Sequence, residues 1–240
     1  MRTIIHWGYG LWCWAVFALV ALLAVLVGVP APGLGLRRRI ARGLARAYLT
    51  LTGVGFTVLG LERLPAGPCV VVANHTSYID GLVMQAALPP RFAFVIKNEL
   101  QRVPFASLLL RRLGSEFVER FDSQRGAADA RRVVRTASSG QSLAVFPEGT
   151  FTEQVGLGRF RAGAFVAAAR AGLPVVPAAI KGARTVLAPL AALPRRGSIG
   201  VEFLEPIAVP PSGARHAANQ LRAAAREALL AHLGEPDLET

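Results

Sequence analysis

Lysine is almost missing from this chain. Of 27 Lys+Arg residues in 240, only Lys97 and Lys181 are lysines. Cysteine is as scarce, with Cys13 and Cys69 alone and at no metal-ligand spacing. One lies in an apolar stretch and the other precedes a strand-like run, which argues against a disulfide framework and fits a reducing compartment. Acidic residues number only 15, leaving a formal charge of +12. Such an excess suggests an anionic partner, whether nucleic acid, a membrane surface or a phosphorylated substrate, although arginine richness also tracks genome composition. There is no internal repeat and no low-complexity linker. No Gly-x-Ser-x-Gly elbow is present, which argues against a serine hydrolase built on Ser77 or Ser142. No nucleic-acid-binding motif is recognisable, and the arginines gather beside an apolar run, so nucleic acid is not the expected partner.

What the chain has in abundance is apolar sequence, at 52% hydrophobic residues, enough to fill a sizeable core. From Leu11 to Val29, 19 consecutive residues carry no charge. As a helix they reach about 28 Å, close to the hydrocarbon thickness of a bilayer. Trp7, Tyr9, Trp12 and Trp14 stand at the front edge, as interfacial aromatics do. Behind Pro30 and Pro32, Arg37, Arg38, Arg39, Arg42 and Arg46 make a basic stretch. Its apolar positions, Ile40, Leu44, Ala47, Tyr48 and Leu51, follow helical spacing. This second segment is expected to be amphipathic and membrane-facing. Arg2 is a thin basic region for a cleaved signal, which leaves two readings open. One is a single span with everything after it on the cytoplasmic side. The other is a helical pair dipping into one leaflet.

After Gly60 short apolar runs alternate with longer helical patterns, the signature of an α/β domain. Strands are expected at 70–73, 92–96, 115–118, 143–146, 174–180 and 199–204. Helices are expected at 80–88, 104–113, 124–139, 161–171 and 214–233. The organisation expected is membrane-anchoring helices over 1–54, a catalytic domain over 55–234 and a frayed polar tail over 235–240.

Three polar turns leave apolar strands. In "VVVANHTSYIDG", His75 and Asp80 are five apart, which on a continuous helix turns them about 140° from one another. They meet only if His75 lies in the turn and Asp80 in the first turns of the helix, with Thr76 or Ser77 as N-cap. A carboxylate on one ring nitrogen would then fix the tautomer and leave the other nitrogen as a base. The alternative is a set of ordinary helix caps. "LAVFPEGTF" repeats the layout, with Glu148, Gly149 and Thr150 in the turn, and Gly149 able to adopt backbone shapes closed to other residues. In an open, largely parallel sheet, ligands collect at the carboxyl ends of the strands, where two such turns could share one crevice; the alternative for the second is an ordinary structural turn. In "GSEFVERFD", Arg120 follows a short strand and offers a fork of donors to phosphate or carboxylate, unless it pairs with Glu119 or Asp122.

Taken together, these blocks resemble the glycerolipid acyltransferases, of which the lysophosphatidic acid (1-acyl-glycerol-3-phosphate) acyltransferases are best known. Asn74-His75-x-x-x-x-Asp80 is followed by Gly114-x-x-Phe117-Val118-x-Arg120, then Phe146-Pro147-Glu148-Gly149-Thr150, then Val175-Val176-Pro177-Ala178-Ala179-Ile180. The resemblance runs over roughly residues 55 to 210. It implies an α/β fold with a mixed, largely parallel open sheet flanked by helices, preceded by a membrane-associated helical segment. It implies transfer of an acyl group from acyl-CoA or acyl carrier protein to a lyso-lipid hydroxyl, with membrane lipids as surroundings and no metal or cofactor. His75 would be the general base and Asp80 its orienting partner. Arg120 would bind the acceptor's phosphate, with Lys97 and Arg161 adding charge. Asn74, Gly114, Glu148, Gly149 and Thr150 would complete the substrate site. The expected location is the cytoplasmic face of the cytoplasmic membrane. Phe151 stands where many members using lysophosphatidic acid carry arginine. That departure admits another acceptor, such as a lyso-ornithine lipid.

Overall fold

The computed structural model describes the backbone of residues 2–118 and 123–239, and side chains over 5–118 and 131–239. Arg120 lies outside the described residues. The chain begins with α1 (Arg2–Leu23), which runs into one π-helical turn (Ala24–Gly28) and is followed by α2 (Leu34–Thr52). The 24 residues Ile5–Gly28 are long and apolar enough to cross a membrane, judged by length and composition, and most of them are not buried.

Then come β1 (Gly55–Leu59), β2 (Val70–Ala73), α3 (Asp80–Ala87), β3 (Phe92–Lys97), α4 (Pro104–Arg112), β4 (Glu116–Val118) and α5 (Ser123–Ser138). The rest is β5 (Ser142–Val145), α6 (Gly163–Ala171), β6 (Val175–Lys181), α7 (Ala183–Val186), β7 (Ser198–Phe203) and α8 (Ala214–Leu233). The strands form one sheet in the order β1-β7-β6-β2-β5-β3-β4. Only β6 and β7 pair antiparallel; every other neighbouring pair is parallel. The mixed, largely parallel sheet expected of the fold is therefore present. β1 was not expected: its five residues, Gly-Phe-Thr-Val-Leu, alternate exposed and half-buried at the sheet edge, a weak signal beside the fully buried central strands.

β2 is the central strand and all four of its residues are buried, so it shows a continuous apolar run rather than alternation. Its side chains still part by parity. Val71 and Ala73 pack with α2 and α3 residues such as Leu49 and Met84. Val70 and Val72 pack with Phe160, Phe165 and Leu221 on the other face. Each apolar face thus has its own helical layer.

α1 and α2 lie antiparallel. Tyr9 Oη donates to Thr52 O at 3.0 Å and Trp12 Nε1 to Leu51 O at 3.1 Å, while Gly28 faces Ile40. α1 also touches the loop before β7, where Trp14 Nε1 donates to Ala192 O at 2.8 Å. Gly10 allows this approach, because a Cβ there would stand 2.7 Å from Leu193 Cβ.

The basic stretch on α2 corrects an expectation. Most of its arginines face protein rather than lipid headgroups. Arg38 is buried and donates to Leu113 O at 2.9 Å and Arg91 O at 3.1 Å. Arg42 donates to Ala87 O at 3.1 Å, and Arg46 to Ala86 O at 2.9 Å. Those are the last carbonyls of α3, which have no partner within their own helix and favour a cation. Arg37 reaches Ala31 O at 2.8 Å, while Arg39 is exposed.

The tail is also held, where fraying was expected. Leu157 N donates to Pro236 O at 2.9 Å and Leu238 N to Leu157 O at 3.1 Å. Arg226 of α8 pairs with Asp237 and with Glu239 at 3.1 Å.

Candidate active site

The parallel strands present their carboxyl ends on one edge of the sheet, and β2 and β5 are neighbours there. Asn74 follows β2. Its Nδ2 donates to Ile180 O at 3.0 Å, and its Oδ1 accepts from Ile180 N at 2.7 Å. The side chain thus continues the ladder to β6 one residue beyond the strand. The substrate contact expected of Asn74 is replaced by this buried staple.

The chain then turns, and His75 and Asp80 meet. His75 Nδ1 lies 2.9 Å from Asp80 Oδ2. The same oxygen accepts the backbone N–H groups of Thr76 at 2.6 Å and Ser77 at 2.8 Å. Asp80 is wholly buried, in the first turn of α3, where negative charge is favoured. Neither Thr76 nor Ser77 is the N-cap. Ile79 holds that position without a side-chain bond, and Ser77 Oγ donates instead to Leu187 O. The carboxylate replaces a cap and orients the imidazole in one move. Among the described residues, His75 Nε2 has no hydrogen-bond partner.

Phe146, just past β5, stacks on the His75 ring at 4.3 Å between centroids. Phe151 meets the His75 ring edge-on at 4.7 Å and meets Tyr78 at 4.6 Å. Two phenyl rings thus touch the imidazole, one stacked and one edge-on.

Glu148 has a structural part that was not expected. Its Oε1 accepts the His75 backbone N–H at 2.7 Å, and its Oε2 accepts the Gly158 N–H at 2.8 Å. Burial pushes its carboxyl up from the ordinary range, opposed by those two donors. Each oxygen accepts from backbone, so Glu148 ties the His75 turn to the 156–158 loop. Gly149 has φ +77°, a backbone shape that favours glycine, and its N–H closes the turn on Phe146 O at 3.0 Å. Thr150 is exposed at its rim.

Lys97 ends β3 on the same edge, exposed, two strands from β2. Arg161 follows, its N–H bonded to Pro147 O at 2.8 Å and its residue exposed. Gly114 does not join them. It precedes β4, at the amino end of a strand parallel to β3, and its open α-carbon faces Arg38 and Leu34. The fold places it across the sheet from His75, where its φ of +70° makes a turn.

Pattern reading overlooked Gly158. A Cβ there would sit 2.7 Å from Glu148 Oε2, inside the hydrogen bond that anchors His75. Nothing in "VGLGRF" signals this, because the partner is ten residues upstream. Gly158→Ala is expected to lower turnover about tenfold, the cost of roughly one displaced charge-assisted bond. Steady-state kinetics checks it, with a melting curve to show the fold intact. Undiminished turnover would mean the Glu148 tie is dispensable.

The family model described as Acyltransferase matches residues 55–181, more than half the chain, from β1 to the end of β6. The chain belongs to the acyltransferase family. This acyltransferase is 33% identical over 217 residues to the lyso-ornithine lipid O-acyltransferase of Pseudomonas aeruginosa, covering 81% of this chain and 80% of that one. It is 29% identical over 179 residues to the chloroplastic 1-acyl-sn-glycerol-3-phosphate acyltransferase BAT2 of Brassica napus, covering 72% and 52%. The 1-acyl-sn-glycerol-3-phosphate acyltransferase of Saccharomyces cerevisiae is also 29% identical, over 170 residues, 70% of this chain and 56% of that one. The acyltransferase spans about half the length of these last two relatives. In fold it is similar to the crystal structure of the 1-acyl-sn-glycerophosphate (LPA) acyltransferase PlsC of Thermotoga maritima. That likeness has a TM-score of 0.80, covers 98% of both chains and comes with 19% identity.

Proposed function

We propose that this acyltransferase moves a fatty acyl group from acyl-CoA or acyl carrier protein to the free hydroxyl of a lyso-lipid. The observation that carries the reading is the His75–Asp80 pair at 2.9 Å, whose outer nitrogen stands at the carboxyl edge of the sheet. His75 Nε2 takes the acceptor hydroxyl's proton while its Nδ1–H stays bonded to Asp80. The acceptor oxygen bonds to the thioester carbonyl carbon and forms a tetrahedral intermediate. The carbon–sulfur bond then breaks, and the departing thiolate takes the proton from the imidazolium. The buried Asp80 carboxylate supports the imidazolium in between.

The first acceptor to consider is 1-acyl-glycerol-3-phosphate, giving phosphatidic acid, with Arg120 and Lys97 meeting the phosphate. A second reading has its own support. The lyso-ornithine lipid relative is similar over about four-fifths of both chains, and the site wall at Phe151 is a phenyl ring. An ammonium headgroup gains from aromatic faces where a phosphate does not.

The acceptor meets the enzyme at a membrane, on its cytoplasmic face. α1 exposes Trp7, Leu11, Trp12, Leu19 and Leu22, and the π-helical turn exposes Leu26, while Cys13, Val16 and Val20 are buried against the protein. A helix docked side-on in this way favours immersion in one leaflet over a span projecting from the domain.

A panel of lyso-lipid acceptors tests the assignment, with thiol release from acyl-CoA as readout. Transfer to at least one is expected, with lyso-ornithine lipid preferred over lysophosphatidic acid if Phe151 sets the wall. Preference for the phosphate acceptor would restore the first reading, and no transfer to any would sink both.

A further inference from the structure

Three successive backbone carbonyls converge on one side chain beside the site. Arg184 Nη1 donates to Thr152 O at 2.9 Å and Glu153 O at 3.0 Å, and Nη2 to Gln154 O at 3.1 Å. Neither a helix nor a sheet points consecutive carbonyls at a common centre. A guanidinium, planar, permanently charged and carrying five donors in a fixed fork, is the group suited to hold them there. Arg184 belongs to α7, directly after β6.

The segment it holds starts one residue after Phe151, whose edge rests on His75 and Tyr78. Thr152, Glu153, Gln154 and Val155 are all exposed, so little apolar burial fixes this loop. The same region of chain is tied to the histidine turn, because Ser77 Oγ donates to Leu187 O just past α7. One short segment therefore holds both the turn carrying the imidazole and the loop carrying the ring upon it. Glu148 anchors His75 independently, through its backbone N–H.

We infer that Arg184 is a positioning residue that, through the carbonyls of residues 152–154, sets Phe151 as the aromatic wall against which the lyso-lipid acceptor is selected at His75. The inference rests on the proposed acyl transfer. It also makes a prediction that needs no turnover: the environment of the His75 ring depends on Arg184.

The experiment compares Arg184→Ala, Arg184→Lys, Phe151→Ala and the Phe151→Ala/Arg184→Ala double variant. In detergent, NMR of histidine labelled with carbon-13 at Cε1 reports the ring currents of Phe146 and Phe151 on His75. Arg184→Ala is expected to move the His75 resonance in the direction and to nearly the extent that Phe151→Ala does. Arg184→Lys, which keeps the charge but not the fork, is expected between it and wild type. In kinetics, Arg184→Ala should raise the acceptor KM about tenfold, the loss of roughly one hydrogen bond's worth of placement. Its melting temperature should stay within about 2 °C of wild type. The double variant should be no worse than Phe151→Ala, because residues acting through one wall are not additive. Additive losses, or a His75 resonance unmoved by Arg184→Ala, would overturn the inference. If wild type transfers no acyl group, the proposed function fails, while the resonance comparison still decides the role of Arg184.

Discussion

Replacing His75 with alanine is expected to reduce acyl transfer by about 10³-fold, within the range of roughly 10² to 10⁴ supplied by a positioned general base. The loss should appear in the rate constant for turnover at saturating donor and acceptor. Without the imidazole, no group takes the hydroxyl proton as the carbon–oxygen bond forms. The fold should survive, because the bond from the His75 backbone N–H to Glu148 does not involve the ring. The side chain is also partly exposed, at 17%. Thiol release from acyl-CoA in the presence of a lyso-lipid measures the effect, and a melting curve tests the fold. A variant keeping more than a tenth of wild-type turnover would remove His75 from the role of base.

The second large effect is expected at Asp80. Asp80→Asn keeps the shape but not the acceptors. Oδ2 receives three donors, from His75 Nδ1, Thr76 N and Ser77 N. An asparagine can offer its oxygen at that point only by placing its amide N–H₂ where Oδ1 now lies, buried and without a partner among the described residues. Turned the other way, it opposes three N–H groups with a fourth donor. Either way the charge that supports the imidazolium is gone, and charge-assisted bonds are about twice as strong as neutral ones. Turnover is expected to fall about 10²- to 10³-fold with acceptor KM nearly unchanged, since the carboxylate acts through His75. Stability should fall by about 1–3 kcal/mol, the cost of leaving buried groups unpaired. Urea unfolding and steady-state kinetics read the two effects separately. Wild-type turnover in this variant would contradict the orienting role.

The edge-on contact of Phe151 with His75 turns a single departure from the family pattern into a physical question about the acceptor. A phenyl ring offers no charge to a phosphate dianion, so any phosphate contact falls to cations elsewhere, such as Lys97 on the same sheet edge. On the proposed reading, acceptor choice is a property of the wall beside the base, while the reaction depends on the base itself.

How much of this was legible in the chain follows from the range of each interaction. The strands from 70 to 203 and the helices α3, α4, α5 and α6 announce themselves through local periodicity, and their ends fall within two residues of expectation, while the four-residue α7 was not expected. β1 escaped because a half-buried edge strand of five residues leaves little pattern. The meeting of His75 and Asp80 was legible as a condition, since five residues of turn-then-helix either bring the pair together or do not. Asn74, Glu148 and Gly149 were legible as positions, but two of their roles were not. Asn74 bonds Ile180, 106 residues away, and Glu148 bonds His75, 73 residues away.

The arginines of α2 carry the same lesson. Composition and helical spacing pointed them at lipid, yet the orphan carbonyls ending α3 and the turn at Leu113 are nearer and dry, and they accept the donors instead. By itself, then, the sequence determined most of the elements, the buried strand and that His75, Lys97 and Glu148 follow or end strands at the carboxyl edge of the sheet, because each depends on neighbours within a few residues. Only the tertiary structure decided which of those residues face substrate and which hold the backbone. That choice rests on where distant carbonyls and N–H groups come to lie, and a buried polar group takes the partner that packing brings to it.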